Sequence, residues 1–128
     1  MPKTTQLVLS LQSKRGVLAG IGRALAEAKV NILSLSAAEA AGRGKIRMDV
    51  NTPTLAKRAL RKARVRFAEE VAFAKRLSNQ PGALARVADK LARGGVNIKT
   101  AYATPAGRGG ATVIITVSNP AKARRLIG

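Results

Sequence analysis

The sequence contains no cysteine and no histidine, and only 2% of its 128 residues are aromatic. The first two absences exclude disulfides, thiolate nucleophiles, imidazole acid–base catalysis and the usual zinc and haem ligands. Because aromatic rings are so few, a core must be built from Leu, Val, Ile and Ala. Apolar residues make up 46% of the chain, which is enough for a globular core of that kind.

Acidic residues are also scarce, with 6 Asp and Glu against 24 Lys and Arg, for a formal net charge of +18. The carboxylates form no evident acid–base pair or ligand set, so we expect no catalytic residue, no metal and no cofactor. The apolar run near the N-terminus is short and is interrupted by Ser10 and Gln12. We therefore expect neither a signal peptide nor a membrane span, and a cytoplasmic protein.

The sequence contains one pattern written twice, at an offset of 66 positions. This offset aligns Gly16 with Gly82 and Val30-Asn31-Ile32 with Val96-Asn97-Ile98. The loops drift by one residue, so that Gly42-Arg43-Gly44 matches Gly107-Arg108-Gly109 at an offset of 65. Loops tolerate such insertions, and the repeat therefore predicts two copies of one folding unit.

Each copy predicts the same series of elements. Alternating residues at 6–11 and 71–77 favour strands, and a turn then leads into an amphipathic helix. The helix is expected to bury Leu18, Ile21, Leu25 and Ala28 in the first copy, and Leu84, Val87, Ala88 and Leu91 in the second. Gly94-Gly95 favours a helix end in the second copy.

A second strand begins at Val30 or Val96, and a Gly-Arg-Gly hairpin leads to a third strand at 46–50 or 111–117. Pro53 and Pro120 favour the start of a second helix, for which Leu55, Ala56, Ala59, Leu60 and Ala63 provide the apolar face in the first copy. Residues 65–68 suit a fourth strand. The sequence therefore predicts an α+β fold of two ferredoxin-like βαββαβ units, with antiparallel sheets and helices on one face. We place the units at residues 4–68 and 69–128, the last strand of the second being short or absent.

The stretch "SNQPGALARVADKLARGGVNI" resembles the ACT domain, a small regulatory module of amino-acid metabolism, and the whole chain is similar to stand-alone tandem ACT proteins. The resemblance implies two units that pair side by side and bind an amino acid at their interface. The residues implied to contact the ligand are Ser13, Gly16, Val17, Leu18 and Asn31 in the first copy, and Asn79, Gly82, Ala83, Leu84 and Asn97 in the second. The first copy departs from the family at Ser13 and Arg15, where the second has Asn79 and Pro81.

The chemistry of these residues agrees with that implication. A helix start presents unpaired N–H groups that attract a carboxylate, and an Asn side chain offers both a donor and an acceptor. The alternative is structural: an Asn before a helix is often only a cap, and Asn31 and Asn97 can instead complete a loop.

The sequence also permits a second function, because a net charge of +18 favours binding of nucleic acid or an acidic protein. Its candidate contacts lie on the second helix: Lys57, Arg58, Arg61 and Lys62. The scarcity of aromatic residues for base stacking predicts that such binding is non-specific. For the protein as a whole we expect a homodimer, since uncovered sheet edges favour pairing, and regulation of an enzyme in trans is a further possibility.

Overall fold

The computed structural model describes residues 3–78, 80–105 and 109–127. It contains six strands and four helices: β1 (Lys3–Gln12), α1 (Val17–Glu27), β2 (Ile32–Ala40), β3 (Arg43–Val50), α2 (Pro53–Lys62), β4 (Ala68–Ser78), α3 (Ala83–Arg93), β5 (Ile98–Pro105), β6 (Gly110–Val117) and α4 (Pro120–Ile127). The predicted α+β class, with two repeats of the ferredoxin-like type, is confirmed.

The chain folds as two compact units, each described here by itself. The N-unit comprises Thr5–Glu70, and the C-unit comprises the described residues from Val71 onward together with those before Thr5. Strands lie in the order β2-β3-β1 in the N-unit and β5-β6-β4 in the C-unit. The strand pairs within the units are antiparallel, with Leu9 opposite Ile46 in the N-unit and Lys75 opposite Val113 in the C-unit.

The N-unit core lies between one face of its sheet and its two helices. Strands contribute Leu7, Leu9, Ile46, Met48 and Val50, and the helices contribute Ile21, Leu25, Ala56 and Leu60, all of them buried. The strand residues alternate along β1 and β3, so they share one face of the sheet. Both helices therefore cover the same face, as the repeat predicts.

The C-unit core is built in the same way around one aromatic ring. Phe73 is 1% exposed and packs with Leu91, Val96, Ile115, Val117, Ala123 and Ile127. Gly95, with a φ of 76°, takes the left-handed conformation after α3, as predicted, and the N–H of Val96 then donates to the Leu91 carbonyl. An added Cβ at Gly94 would collide with the Leu126 side chain, so glycine lets α3 end close to α4.

Three predictions about the elements are wrong. Leu55 and Ala63 are exposed, so only Ala56, Ala59 and Leu60 of the predicted apolar face of α2 pack against the core. Leu18 and Leu84 are 46% and 50% exposed, because they lie in the first turns of α1 and α3, one residue beyond the core-facing positions at Val17 and Ala83. Val65–Phe67 form no strand. Arg64 takes a positive φ of 59° after α2, and Val65 and Phe67 then pack against the core as a connection that enters β4 at Ala68.

Candidate functional site

Each unit enters its first helix through a glycine in the left-handed conformation. Gly16 has a φ of 85° and Gly82 a φ of 86°, a backbone geometry that side chains with a Cβ strongly disfavour. Neither helix start has a side-chain cap. The turns are therefore shaped by the backbone, and they leave amide groups facing outward.

At each predicted helix start, the backbone N–H of the residue after the glycine already has an acceptor. The N–H of Val17 donates to the Lys14 carbonyl and that of Ala83 to the Gln80 carbonyl, both at 3.3 Å. Within the described residues, no acceptor meets the N–H groups that follow, which belong to Leu18, Ala19, Leu84 and Ala85. The two outward N–H groups at each helix start are available to an anion.

We expect alanine at Gly16 to lower the free energy of unfolding by about 1–2 kcal/mol, because a Cβ is disfavoured at positive φ. Gly22, inside α1, is the matched control, since an added Cβ there meets nothing within 4 Å. Gly22→Ala should instead raise the free energy of unfolding by about 0.5–1 kcal/mol. Urea denaturation measures both, and equal effects of the two substitutions would contradict the assigned backbone geometry.

A cavity of about 200 Å³ adjoins the start of α1 in the N-unit. It contains three of the predicted residues, Ser13, Val17 and Leu18, and closes against Ala37–Glu39 at the end of β2. Lys14 and Glu39 line it as well and bring one positive and one negative charge to the same space. An amino acid in water carries the same two charges, so the cavity matches both ends of such a ligand.

Glu39 was not among the residues predicted from the sequence. It reaches the cavity because it pairs with Gly44, which is also opposite Leu11 at the end of β1. This placement depends on the register of three strands. The residue pattern of a single segment does not show which strands pair, so it could not identify Glu39 as a cavity residue.

The predicted residues of the C-unit are placed differently. Ala83 is 7% exposed and packs inward, so its methyl group belongs to the core, while Leu84 remains half exposed. Asn79 lies outside the described residues. The described part of this helix start therefore offers a ligand the backbone of Leu84 and Ala85 and the side chain of Leu84.

Asn31 and Asn97 occupy equivalent positions before β2 and β5. The N–H of Asn31 donates to Oδ1 of Asn51 at 2.9 Å, and the N–H of Asn51 donates back to the Asn31 carbonyl at 3.1 Å. In the C-unit, the N–H of Asn97 donates to Ser118 Oγ at 3.0 Å, and the N–H of Ser118 donates to the Asn97 carbonyl at 2.9 Å.

The loops are thus completed by Asn51 and Ser118, together with the backbones of Asn31 and Asn97. The side chains of Asn31 and Asn97 are exposed, and they have no hydrogen bond to any described residue. Asn31 precedes β2, whereas the cavity lies against residues 37–39 near the opposite end of this strand, about 20–27 Å away at the usual rise per residue. One unit therefore does not bring its own Asn to its own helix start.

The four predicted polyanion contacts do not form one free surface. Lys57 is only 25% exposed, and its Nζ makes an ion pair of 2.9 Å with Glu69. The guanidinium of Arg61 lies 5.3 Å from the centre of the Phe67 ring, a cation–π contact. Arg58 and Lys62 are exposed on α2.

Among residues 3–78, 80–105 and 109–127, no group of three carboxylates is arranged to hold a metal ion. None of the helices that the structure describes is both long and apolar enough to span a membrane.

Comparisons with known proteins identify the family. A family model for the ACT domain pair matches residues 3–128. The solved structure of BT0572 from Bacteroides thetaiotaomicron is similar at 31% identity, with a TM-score of 0.91, over 98% of this chain and 86% of that one. No curated protein matches.

Two more distant structures share the fold. The ligand-free regulatory subunit of aspartate kinase from Thermus thermophilus has a TM-score of 0.64 at 16% identity, over 99% of this chain and 95% of that one. The aspartokinase alpha and beta subunits give 0.59 at 16% identity, over 91% of this chain and 87% of that one. With the family model matching nearly the whole length, this chain belongs to the ACT family as a pair of ACT domains.

Proposed function

We propose that this protein is a non-catalytic regulatory protein that binds a small amino acid at an interface between ACT units. The observation that carries the proposal is the helix start with outward N–H groups at Leu18 and Ala19, beside a cavity that holds Lys14 and Glu39. The ligand carboxylate binds the two N–H groups and Lys14, and the ligand ammonium binds Glu39.

The separation of Asn31 from the cavity supports an interface site. A single ligand can contact a helix start and a strand-opening Asn together only if they come from different units. Asn31 and Asn97 each keep an exposed side chain that can serve a helix start outside their own unit. Copies of the protein in a homodimer offer such an arrangement, and exposed Leu33 and Leu35 on the outer strand β2 provide apolar surface for pairing.

Regulation of an enzyme in trans follows from the same proposal. The fold is shared with a structure described as the regulatory subunit of aspartate kinase. For the present protein, ligand binding is proposed to change the packing of the units and so the affinity for such a partner.

The proposal predicts that one or a few of the twenty amino acids stabilise the protein. A ligand at 100 times its Kd should raise the free energy of unfolding by about 2.7 kcal/mol, because it binds only the folded state. Thermal shift against all twenty, with sedimentation at several protein concentrations, measures this effect and the oligomeric state together.

Two controls test whether stabilisation depends on the proposed contacts with the ligand. The amine that lacks the carboxylate of the best ligand should not stabilise, because it cannot bind the N–H groups of the helix start. Glu39→Gln should weaken binding about tenfold or more, whereas Glu27→Gln on the exposed side of α1 should retain it. Absence of stabilisation by every amino acid, or equal stabilisation by the amine, would refute the proposal.

A further inference from the structure

The C-unit contains a second cavity, distinct from the helix-start site of the N-unit. It has a volume of about 270 Å³ and lies between the end of β4, the side of α3 and the last turn of α4. The residues that define it include Lys75, Arg76, Ser78, Arg86, Lys90 and Ile127. Its described lining contains several cationic side chains and no carboxylate.

Lys75 occupies a strand position on the core-facing side of the sheet. It lies two residues after buried Phe73 on the same face of β4, and it is half buried. Its counterpart at the repeat offset is Leu9, which is 0% exposed in the N-unit. The strand register confirms the equivalence, since Lys75 pairs with Val113 and Leu9 with Ile46.

Two other cations of this lining, both on α3, are likewise specific to the C-unit. At the same offset, Arg86 corresponds to Gly20 and Lys90 to Ala24, both on α1. Arg86 and Lys90 lie four residues apart on α3, so their side chains project to the same side of the helix. At these three positions the N-unit has apolar or small residues, whereas the C-unit has Lys75, Arg86 and Lys90.

Lys75 is half buried, whereas Arg86 and Lys90 are exposed, so solvent screens part of the repulsion among these three positive charges. Lys75, Arg86 and Lys90 have no ion-pair partner among the described residues. The unfavourable repulsion is therefore not relieved by a described side chain. A bound anion of matching charge would relieve it.

We propose that this cavity binds a compact polyvalent anion of the phosphate or pyrophosphate type. Arg86 supplies the planar donor pair that suits a phosphate, and Lys75 and Lys90 supply point charges. Nη1 of Arg86 lies 3.4 Å from where a Cβ on Gly82 would stand, so the guanidinium lies beside the start of α3 and its outward N–H groups. Three cations exceed the single charge of a carboxylate, which favours a ligand carrying two or more charges.

The test is calorimetric titration of the whole protein with pyrophosphate, inorganic phosphate and acetate at physiological salt. We expect saturable binding of one pyrophosphate per chain, weaker binding of phosphate and none of acetate. Arg86→Ala/Lys90→Ala should weaken pyrophosphate binding at least about tenfold, since hydrogen bonds to charged groups are lost.

Two further variants distinguish binding at this cavity from attraction to the positive charge of the whole protein. Arg58→Ala/Lys62→Ala removes the same pair of residue types at the same spacing from α2, and it should retain binding. Lys75→Leu installs the residue that the N-unit has, so it should raise the melting temperature while it weakens pyrophosphate binding about tenfold. Equal weakening by both double variants, non-saturable binding, or no binding by the wild-type protein would overturn the proposal.

Discussion

Replacing Phe73 with alanine should lower the free energy of unfolding by about 3–5 kcal/mol. Phe73 is 1% exposed and is the largest fully buried side chain among the residues that the structure describes, and the other members of its cluster are aliphatic or alanine. No neighbouring ring can fill the space that its removal leaves. Since small domains are stable by only about 5–15 kcal/mol, this single change removes a large share of the margin.

Urea denaturation followed by circular dichroism measures this effect without an aromatic probe. Leu84→Ala is the matched control, because Leu84 is 50% exposed and its truncation removes little buried area. We expect a change below about 1 kcal/mol for that variant. A similar loss for Phe73→Ala and Leu84→Ala would show that the core is not organised around Phe73.

Replacing Asn97 or Asn31 with alanine should weaken amino-acid binding tenfold or more and leave the ligand-free protein as stable as before. Each of these side chains is exposed and makes no hydrogen bond to a described residue, so its removal costs the folded state little. In the proposed complex each supplies one or two hydrogen bonds to a charged ligand, of about 1.5–3 kcal/mol apiece. Thermal shift with and without the stabilising amino acid measures both quantities.

Their loop partners provide controls of opposite behaviour. Asn51→Ala removes the acceptor for the N–H of Asn31, and Ser118→Ala removes the acceptor for the N–H of Asn97. Each should lower the stability of the ligand-free protein by about 1 kcal/mol. A loss of ligand-free stability for Asn97→Ala as large as that for Ser118→Ala would assign Asn97 a structural role only.

The order of elements could be predicted from the sequence because local patterns encode it. Alternation along the strands, Pro53 and Pro120 at helix starts, and Gly94-Gly95 at a helix end all act within a few residues. Exposure of Leu18 and Leu84 could not be predicted, because apolar spacing does not show how far the sheet extends over the first turn of a helix. Residues 65–68 suit a strand by sequence, yet Val65 and Phe67 pack against the core as a connection and the strand begins only at Ala68.

The residues of the candidate site divide in the same way, into those that local patterns predict and those whose surroundings depend on strand pairing. The repeated glycine turns and the two strand-opening Asn residues were found by comparing the copies, and their backbone roles depend on local geometry. Glu39 and Lys75 were missed, because each acquires its surroundings from strand register across the sheet. Lys57 and Arg61 were predicted to be free cations, but contacts with Glu69 and Phe67 engage both.

Leu9 and Lys75 occupy equivalent positions in the two copies of the pattern, but one is apolar and the other is charged. The N-unit has a fully buried leucine at this position, whereas the C-unit has a half-buried lysine beside a core built around Phe73. Two copies of one fold within a single chain therefore differ in chemistry at an equivalent position, where the N-unit residue serves packing and the C-unit residue adds a charge.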